Sequence, residues 1–297
     1  MIINGGTLNT LYTGFNAAFQ GGFGATPTSY QRVAQVVPST TRNNEYGWMG
    51  QIPRVREWLG PRVAQNISTS NYTVRNRDFE LTVAVDRNDI EDDNIGIYSP
   101  LFSELGRAAA AFPDELLWPL LPAGFSTNCY DGQYFFDSDH PVLDANGVAQ
   151  SQSNTGGGAG TAWYLFDVSR MMKPFIFQSR KPMSELIRKD QPTDQNVFER
   201  KEYVYGTDGR CNVAYGFWQL AYGSKQTLDA AAYAAARAAM MGRKGDYDRP
   251  LGITPNLLVV PSTLEAAARA IVSADTLSTG GANVWYQTAE LLVVPWL

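Results

Sequence analysis

The clearest hydrophobic pattern in the chain is an alternation that begins at residue 72. Apolar side chains recur there with a period of two, which is typical of β-strands with one buried face. The residues preceding it, 46–71, interleave Trp and Arg with Gly and Pro and show no such period. The sequence therefore predicts a long excursion that ends in a pair of strands. The alternating positions are Tyr72, Val74, Phe79, Leu81, Val83 and Val85.

A second pattern, with apolar residues three or four positions apart, predicts a long amphipathic helix from Pro100. Ser99 is the expected N-cap, and proline is favoured in a first helical turn. Pro113 is expected to kink or restart the helix. The whole element would span about 22 residues, or roughly 33 Å at 1.5 Å per residue. Its apolar stripe comprises Leu101, Leu105, Ala108, Ala109, Phe112, Leu116, Leu117 and Leu120.

The C-terminal half combines short apolar runs with two further helices. "TLDAAAYAAARAAMMGRKG" predicts a helix capped by Thr227 and ended by Gly242, and in "STLEAAARAIVSA" Ser262 and Glu265 have capping-box spacing. The segment 151–161, "SQSNTGGGAGT", is expected to be a flexible loop. The strand-like runs are "TAWYLFD", "KPFIFQ", "FERKEYVYG", "NVAYGFWQLAYG", "NLLVVP" and "AELLVVPWL".

Composition indicates a folded protein with a sizeable core. The 297 residues are 44% hydrophobic and 18% charged, enough for two or three ordinary domains or one large fold. No run approaches the length of a membrane span, and no secretory signal opens the chain, so no membrane partner is expected. Two cysteines, Cys129 and Cys211, form no disulfide framework, which favours a reduced cytoplasmic origin.

Charge argues against tight, sequence-independent binding of nucleic acid. The net charge is −5, with a pI of about 5.0, whereas such binding requires clustered Lys and Arg. The charge is unevenly spread. Residues 46–80 contain five arginines and three acids, a local charge of +2, and residues 86–139 contain eleven acids and two arginines, or −9. These segments either pair, within or between chains, or form two solvated faces.

The stretch "NCYDGQYFFDSDHPV" (128–142) holds the single histidine of the chain and is the strongest candidate for chemistry. Asp131, Asp137, Asp139 and His140 could ligate a hard or borderline cation. Asp before Gly or Pro is also ordinary turn chemistry, and the zinc-binding spacings of Cys and His are missing. A structural corner is therefore the favoured interpretation, and the sequence predicts no catalytic residue, no metal ligand and no cofactor. A Cys129–His140 dyad lacks a visible feature that would depress the pKa of the thiol.

Six blocks of the sequence are similar to the Mu-like prophage major head subunit family. They follow the order of that family from about Tyr12 to Leu297. The resemblance implies a major capsid protein with an α+β, Hong Kong 97-like fold. The blocks are "YGWMGQIPRVREWLG", "RNDIEDDNIGIYSPLFSELGRAAAAFPDEL", "CYDGQYFFDSDHPV", "SRMMKPFIFQSRKP", "EYVYGTDGRCNVAYGFWQLAYGSK" and "PNLLVVPSTLEAAAR".

The resemblance also implies a division of the chain into parts. These are an N-terminal arm (1–45), which contains a short helical candidate, "TLNTLYTGFNAAF", and an extended β-hairpin loop (46–95). They are followed by a peripheral domain with a spine helix (96–223), part of which could be axial. An axial domain (224–286) and a C-terminal strand (287–297) complete the chain.

The implied function is self-assembly, through pentamers and hexamers, into an icosahedral shell around phage DNA. The implied partners are other copies of the chain, a scaffold or protease, a portal, possible decoration proteins, and double-stranded DNA bound without sequence specificity. The protein is expected in the virion capsid, after assembly in the host bacterial cytoplasm. One departure concerns the crosslink of the Hong Kong 97 shell, which uses a lysine of the extended loop. Here no lysine precedes Lys173, so cohesion is expected to be noncovalent.

Our hypothesis for contact between subunits places the excursion across a neighbouring subunit. Its anchors would face the acidic 86–139 region of that neighbour. The alternative is that the tryptophans fill the core of their own subunit. Other functions left open are an encapsulin-like nanocompartment shell, a metal-dependent hydrolase centred on His140 and a monomeric surface-binding module. The anchor residues are Trp48, Arg54, Arg56, Trp58 and Arg62.

Overall fold

The computed structural model describes residues 4–46, 72–92, 95–277 and 280–297. In those ranges the chain forms two five-stranded sheets and a set of helices. The helices are Gly5–Ala25 (α1), Tyr30–Val33 (α2), Arg87–Glu91 (α3), Tyr98–Leu117 (α4), Leu120–Ala123 (α5), Gln195–Arg200 (α6), Ala230–Met241 (α7) and Glu265–Val272 (α8), with short 3₁₀ turns at Ile95–Ile97, Trp218–Leu220 and Ser262–Leu264.

The strands fall into the two large sheets and three small two-stranded ribbons. They are Ala34–Pro38 (β1), Asn43–Glu45 (β2), Thr73–Arg75 (β3), Arg77–Asp86 (β4), His140–Leu143 (β5), Ala149–Gln152 (β6), Thr155–Gly158 (β7), Trp163–Phe166 (β8), Phe175–Lys181 (β9), Ile187–Lys189 (β10), Glu202–Tyr215 (β11), Ala221–Lys225 (β12), Lys244–Gly245 (β13), Arg249–Pro250 (β14), Leu257–Pro261 (β15) and Glu290–Val294 (β16).

The first sheet is organised around the long strand β11, in the order β1-β9-β11-β10. Strand β4 pairs with β11 in antiparallel register, from Glu202 opposite Asp86 to Cys211 opposite Arg77. The predicted alternation over 77–85 is therefore confirmed as a strand. Helices α1 and α4 pack together over this sheet, where Phe15 and Phe102 stack with ring centroids 4.2 Å apart.

The second sheet, in the order β16-β15-β8-β12-β7, carries the apolar runs of the C-terminal half. Strand β15 is buried along its whole length and pairs in parallel with β16, as expected for runs without polar positions. Helices α7 and α8 contribute Tyr233, Ala236 and Ile271 to the cluster that includes this sheet. The predictions of strands at 257–261 and 290–294 and of helices in 230–241 and 265–272 are confirmed.

Three predicted N-caps are wrong. Helix α4 begins at Tyr98, so Ser99 lies inside it, because the preceding 3₁₀ turn runs directly into the helix. Helix α7 is capped by Asp229, whose carboxylate accepts the backbone N–H of Ala232 at 2.8 Å, and not by Thr227. Ser262 belongs to a 3₁₀ turn before α8 and makes no cap hydrogen bond.

Two further predictions are corrected by neighbouring strands and helices. The glycine-rich segment 151–161 is not simply a loop, because β7 pairs in parallel with β12 at its centre. The short helical candidate near the N-terminus is a 21-residue helix, α1, docked on α4. None of the helices in the described ranges combines the length and hydropathy needed to cross a membrane.

Candidate functional site

The five predicted anchors of intersubunit contact, Trp48, Arg54, Arg56, Trp58 and Arg62, lie outside the described residues. The structure does describe the base from which that excursion starts and to which it returns. Strands β2 and β3 pair in antiparallel fashion, and the N–H of Tyr46 donates to the carbonyl of Tyr72 at 2.9 Å. The two described ends that flank residues 47–71 are therefore paired with each other.

A buried amide network fixes this base to the first sheet. Gln178 of β9 is fully buried, and its Nε2 donates to the side-chain oxygen of Asn76 at 2.8 Å. The hydroxyl of Tyr46 donates to Oε1 of Gln178 at 2.8 Å, and Nδ2 of Asn76 donates to Oγ of Ser39 at 2.8 Å. Because the polar groups of this network are paired inside the protein, losing one of them would leave its partner buried without a hydrogen bond.

Further contacts hold the return strand. The hydroxyl of Tyr72 accepts the N–H of Tyr215 at 3.2 Å, and burial raises the pKa of Tyr72, so its hydroxyl stays neutral. Nδ2 of Asn212 donates to the carbonyl of Arg75 at 2.7 Å. The ribbon is thus attached to β11 as well as to β9.

The acidic segment 86–139 was predicted to face the excursion of a neighbour. In the fold some of its acids are buried and others are exposed. Asp114 is buried and accepts the backbone N–H of Ser29 at 2.9 Å and the indole N–H of Trp118 at 3.2 Å. It is a structural group and is not free to meet a neighbour. The acids of this segment that are exposed within the described ranges are Asp86, Glu91, Asp92, Glu104, Glu115 and Asp139.

His140, the strongest sequence candidate for chemistry, is completely buried at the start of β5. Its ring stacks on the indole of Trp218, with centroids 3.9 Å apart and planes 7° from parallel. Its Nδ1 lies 2.7 Å from Oδ2 of Asp131. Its Nε2 lies 3.3 Å from Oδ1 of Asn154.

The side chain of Asn154 holds the other edge of the His140 ring. Nδ2 of Asn154 donates to the carbonyl of Phe135 at 2.6 Å, so its Oδ1 is the atom that faces Nε2 of His140. The same Oδ1 accepts the backbone N–H of Asp137 at 2.8 Å. Both ring nitrogens of His140 therefore have polar partners inside the protein, as a buried imidazole requires.

Cys129 completes this corner but is not a nucleophile. Its thiol donates to Oδ1 of Asp131 at 3.0 Å, and burial, followed by the charge of Asp131, raises its pKa. Burial also acts to raise the pKa of Asp131, but hydrogen bonds from His140 and Cys129 outweigh it, so that pKa lies below its ordinary value. The second cysteine, Cys211, is buried too, and burial raises its pKa to about 11.

The structure brings together only part of the predicted cation set. Donor atoms of Cys129, Asp131 and His140 lie within 4.8 Å of one another. Asp137 turns to the backbone instead, where it accepts the N–H of Ser138 at 2.7 Å, and Asp139 is exposed. Since the contacts of Asp131 are hydrogen bonds at ordinary lengths, the arrangement is that of a braced corner.

Sequence reasoning missed Arg243, whose Cζ lies 5.6 Å from the ring centroid of the same Trp218. It is 2% exposed, and its guanidinium donates to the carbonyls of Trp218 at 3.2 Å, Gln219 and Ala221 at 3.1 Å. Burial lowers its pKa to about 9. Its position one residue after the helix-ending Gly242 gives no periodic signal that could have predicted burial.

Comparison with known proteins identifies the family to which this sequence is similar. The family model described as "Mu-like prophage major head subunit gpT" matches residues 8–297. The major capsid protein of Escherichia phage Mu is 40% identical over 290 residues, which are 96% of this chain and 95% of that protein.

Two solved structures share the fold. The procapsid of bacteriophage JBD30 matches with a TM-score of 0.88 and 44% identity, over 99% of this chain and 100% of that chain. The capsid of bacteriophage JBD30 decorated with minor capsid protein trimers matches with a TM-score of 0.76 and 37% identity, over 92% of both chains.

The mixed α+β fold, shared with these capsid structures, defines a structural protein of a phage shell. The chain belongs to the Mu-like prophage major head subunit gpT family. It is a major capsid protein, a component of the virion that forms the shell of the phage head, and not an enzyme. The resemblance stated from the sequence alone is confirmed.

Proposed function

We propose that the subunit joins its neighbours in pentamers and hexamers through the excursion at 46–80, without covalent crosslinks. The observation that carries this proposal is the hydrogen bond that closes the base, in which the N–H of Tyr46 donates to the carbonyl of Tyr72 at 2.9 Å. Both ends of the 25-residue segment 47–71 are thus attached at this base. A contact whose attachment is already fixed costs less conformational entropy on association.

Charge supports the choice of partner. Residues 46–80 carry an excess of two positive charges, and the exposed acids of 86–139 supply the opposite sign on a neighbouring copy. Arginine is well suited to such contacts, because its planar guanidinium binds carboxylates in a bidentate manner. Many modest interfaces of this kind become a stable whole when the shell closes, since each contact raises the effective concentration for the next.

The two sheets suggest how the remaining parts of the proposed division are built. The first sheet with α1 and α4 would form the peripheral domain, and the second sheet with α7 and α8 the axial domain. Because β7, β8 and part of β12 pair within the second sheet, the axial domain would include those strands from the range 96–223. Packaged DNA would contact the shell without sequence specificity, in keeping with the net charge of −5.

The proposal is tested by replacing Arg54, Arg56 and Arg62 together with alanine. We expect a folded subunit whose assembly into shells is lost or slowed, as followed by light scattering and electron microscopy. The matched control replaces Arg107 and Arg269, two exposed arginines that form ion pairs within their own helices. Normal shells from the triple variant would refute the proposal, and so would equal damage in the control.

On the relative decorated with minor capsid protein trimers, the shell is covered by a second protein. We propose that this chain also binds such a partner on its assembled form. In the test, purified shells and unassembled subunits are each mixed with the corresponding minor protein, and binding is measured by sedimentation. Binding to shells only is the expected result, and failure to bind shells would refute it.

A further inference from the structure

One end of the first sheet presents an exposed aromatic side chain on a short, well-held helix. Phe198 of α6 is 85% exposed, whereas its neighbour Val197 is buried and anchors the helix. Nδ2 of Asn196 donates to the carbonyls of Lys189 at 3.1 Å and Glu202 at 2.7 Å, which holds α6 against β10 and β11. We name this end of the sheet, residues 86–92 and 187–202, the sheet tip.

The end of α6 is also fixed. Lys201 adopts a left-handed conformation, with φ of 58°, and its N–H bonds the carbonyl of Asn196. Its own carbonyl accepts the N–H of Arg87 at 2.9 Å, which joins α6 to the start of α3. Phe198 is therefore displayed on a preorganised turn, as contact residues at interfaces commonly are.

The two flanks of the sheet tip carry opposite charge. Strand β11 separates them, because β10 pairs with one of its edges and β4 with the other. On the α6 flank the exposed cations are Lys189, Arg200 and Lys201, opposed by one exposed acid, Glu199. On the α3 flank the exposed acids are Asp86, Glu91 and Asp92, with the half-buried Arg87 paired to Glu91 at 3.1 Å.

We propose that Phe198 docks against the sheet tip of a second copy of this chain, with its basic flank facing the acidic flank of that copy. The proposal rests on self-association into a shell and adds a contact that does not use the excursion. A surface with a positive and a negative flank complements a copy of itself that is rotated about a two-fold axis. Because the same surface serves on both copies, the contact is isologous and pairs two subunits.

The charge pattern disfavours a nucleic acid across the whole sheet tip, because the acidic α3 flank would repel phosphate groups even though the basic α6 flank would attract them. The edge strand β10 exposes a further apolar side chain of the sheet tip, Ile187, which is 50% exposed. Apolar side chains together with charged ones are common at protein–protein contacts.

The first test replaces Phe198 with serine. The unassembled subunit should keep its thermal midpoint, because the side chain is exposed, while the critical concentration for assembly should rise by about tenfold or more. Phe198→Leu should restore most of the assembly. The control Met171→Ser removes an equally exposed apolar side chain, 86% exposed, outside the sheet tip, and should leave assembly unchanged.

The second test asks what Phe198 touches. Chains with Arg200→Cys and chains with Asp92→Cys are assembled together, oxidised and separated without reductant. We expect a crosslinked dimer from the mixture, with little background from the buried Cys129 and Cys211. Normal assembly of Phe198→Ser without a dimer band would overturn the proposal, and so would loss of minor capsid protein binding alone. Neither result depends on the excursion arginines, so failure here leaves that proposal standing.

Discussion

Gly106 of α4 lies directly against the backbone carbonyl of Phe19 in α1. A methyl group added at Gly106 would stand 2.0 Å from that carbonyl oxygen, and one added at Gly22 would stand 1.9 Å from the carbonyl oxygen of Ser103. The two helices therefore meet backbone to backbone at a reciprocal pair of glycines. Close approach of this kind allows Phe15 and Phe102 to stack across the interface.

Gly106→Ala should destabilise the subunit, because the helices must move apart to admit a methyl group that would otherwise stand 2.0 Å from the carbonyl oxygen of Phe19. Overpacking of a close contact costs about 1–3 kcal/mol, and we expect the upper part of that range. Urea unfolding of the unassembled subunit measures the effect. An unchanged midpoint would show that α1 is not docked on α4 as described.

Gly14→Ala provides the matched opposite case. No atom lies within 4 Å of the added methyl group at this position of α1, so the only effect is on helix propensity. Alanine should stabilise the helix by about 0.5–1 kcal/mol. Slower amide hydrogen exchange across 8–20 is the expected readout. Faster exchange would mean that α1 is not helical at Gly14 in solution.

The sequence predicts elements well where one physical pattern dominates. The alternation at 77–85 and the apolar run at 257–261 became β4 and β15, because burial on one face or on both faces leaves a periodic trace. In α4 most of the predicted stripe is buried or half-buried, but Phe102 is buried in place of Leu101, which is 41% exposed. The contact with α1 decides which edge of the stripe is covered, and periodicity alone does not reveal which helix a stripe will meet.

The candidate site was predictable only in part. Asp131 and His140 were identified from the sequence, but their partner Asn154 comes from a glycine-rich segment expected to be a loop. Trp218 and Arg243 are brought to the corner by tertiary contacts that no local motif encodes. The predicted excursion is supported at its base alone, because its anchors lie outside the described residues.

Asp131→Asn should destabilise the subunit near neutral pH by about 1–3 kcal/mol, because it removes the carboxylate that accepts the thiol of Cys129 and faces Nδ1 of the fully buried His140. The pKa of Asp131 is lowered in the fold, so its contribution is present above the ordinary carboxyl pKa and is lost as pH falls through the folded value. The gap between wild type and variant should therefore shrink as pH falls below about 4. Chemical denaturation at several pH values measures it.

The control for that series is Asp137→Asn, since Asp137 bonds only backbone N–H groups near its own turn. Asp137→Asn should lower the stability of the subunit by less than Asp131→Asn does. Its effect should be the same whether or not His140 is replaced. Combining each change with His140→Gln separates the two cases. Energies that add for Asp131 and His140 would contradict a direct pair.

Arg243→Met should cost about 3 kcal/mol or more, although it removes a buried charge that has no carboxylate partner. The reason is that the carbonyls of Trp218, Gln219 and Ala221 would lose their shared donor. Arg243→Lys should recover only part of the loss, since one ammonium cannot match the planar fork. A red shift of tryptophan emission, from exposure of Trp218, is the accompanying signal. Full stability of the methionine variant would show that those carbonyls have other partners.

Shells of this protein should dissociate completely in hot detergent to a single band of 32.7 kDa. No lysine occurs before Lys173, so the excursion offers no amine for an isopeptide bond to a neighbouring asparagine. Both cysteines are buried, and burial raises the pKa of each thiol, which disfavours disulfides between subunits. The variant Arg56→Lys would place such an amine in the excursion without changing the charge of the chain. A ladder of oligomers from the unmodified shells would contradict noncovalent cohesion, and mass spectrometry of the ladder would identify the crosslinked residues.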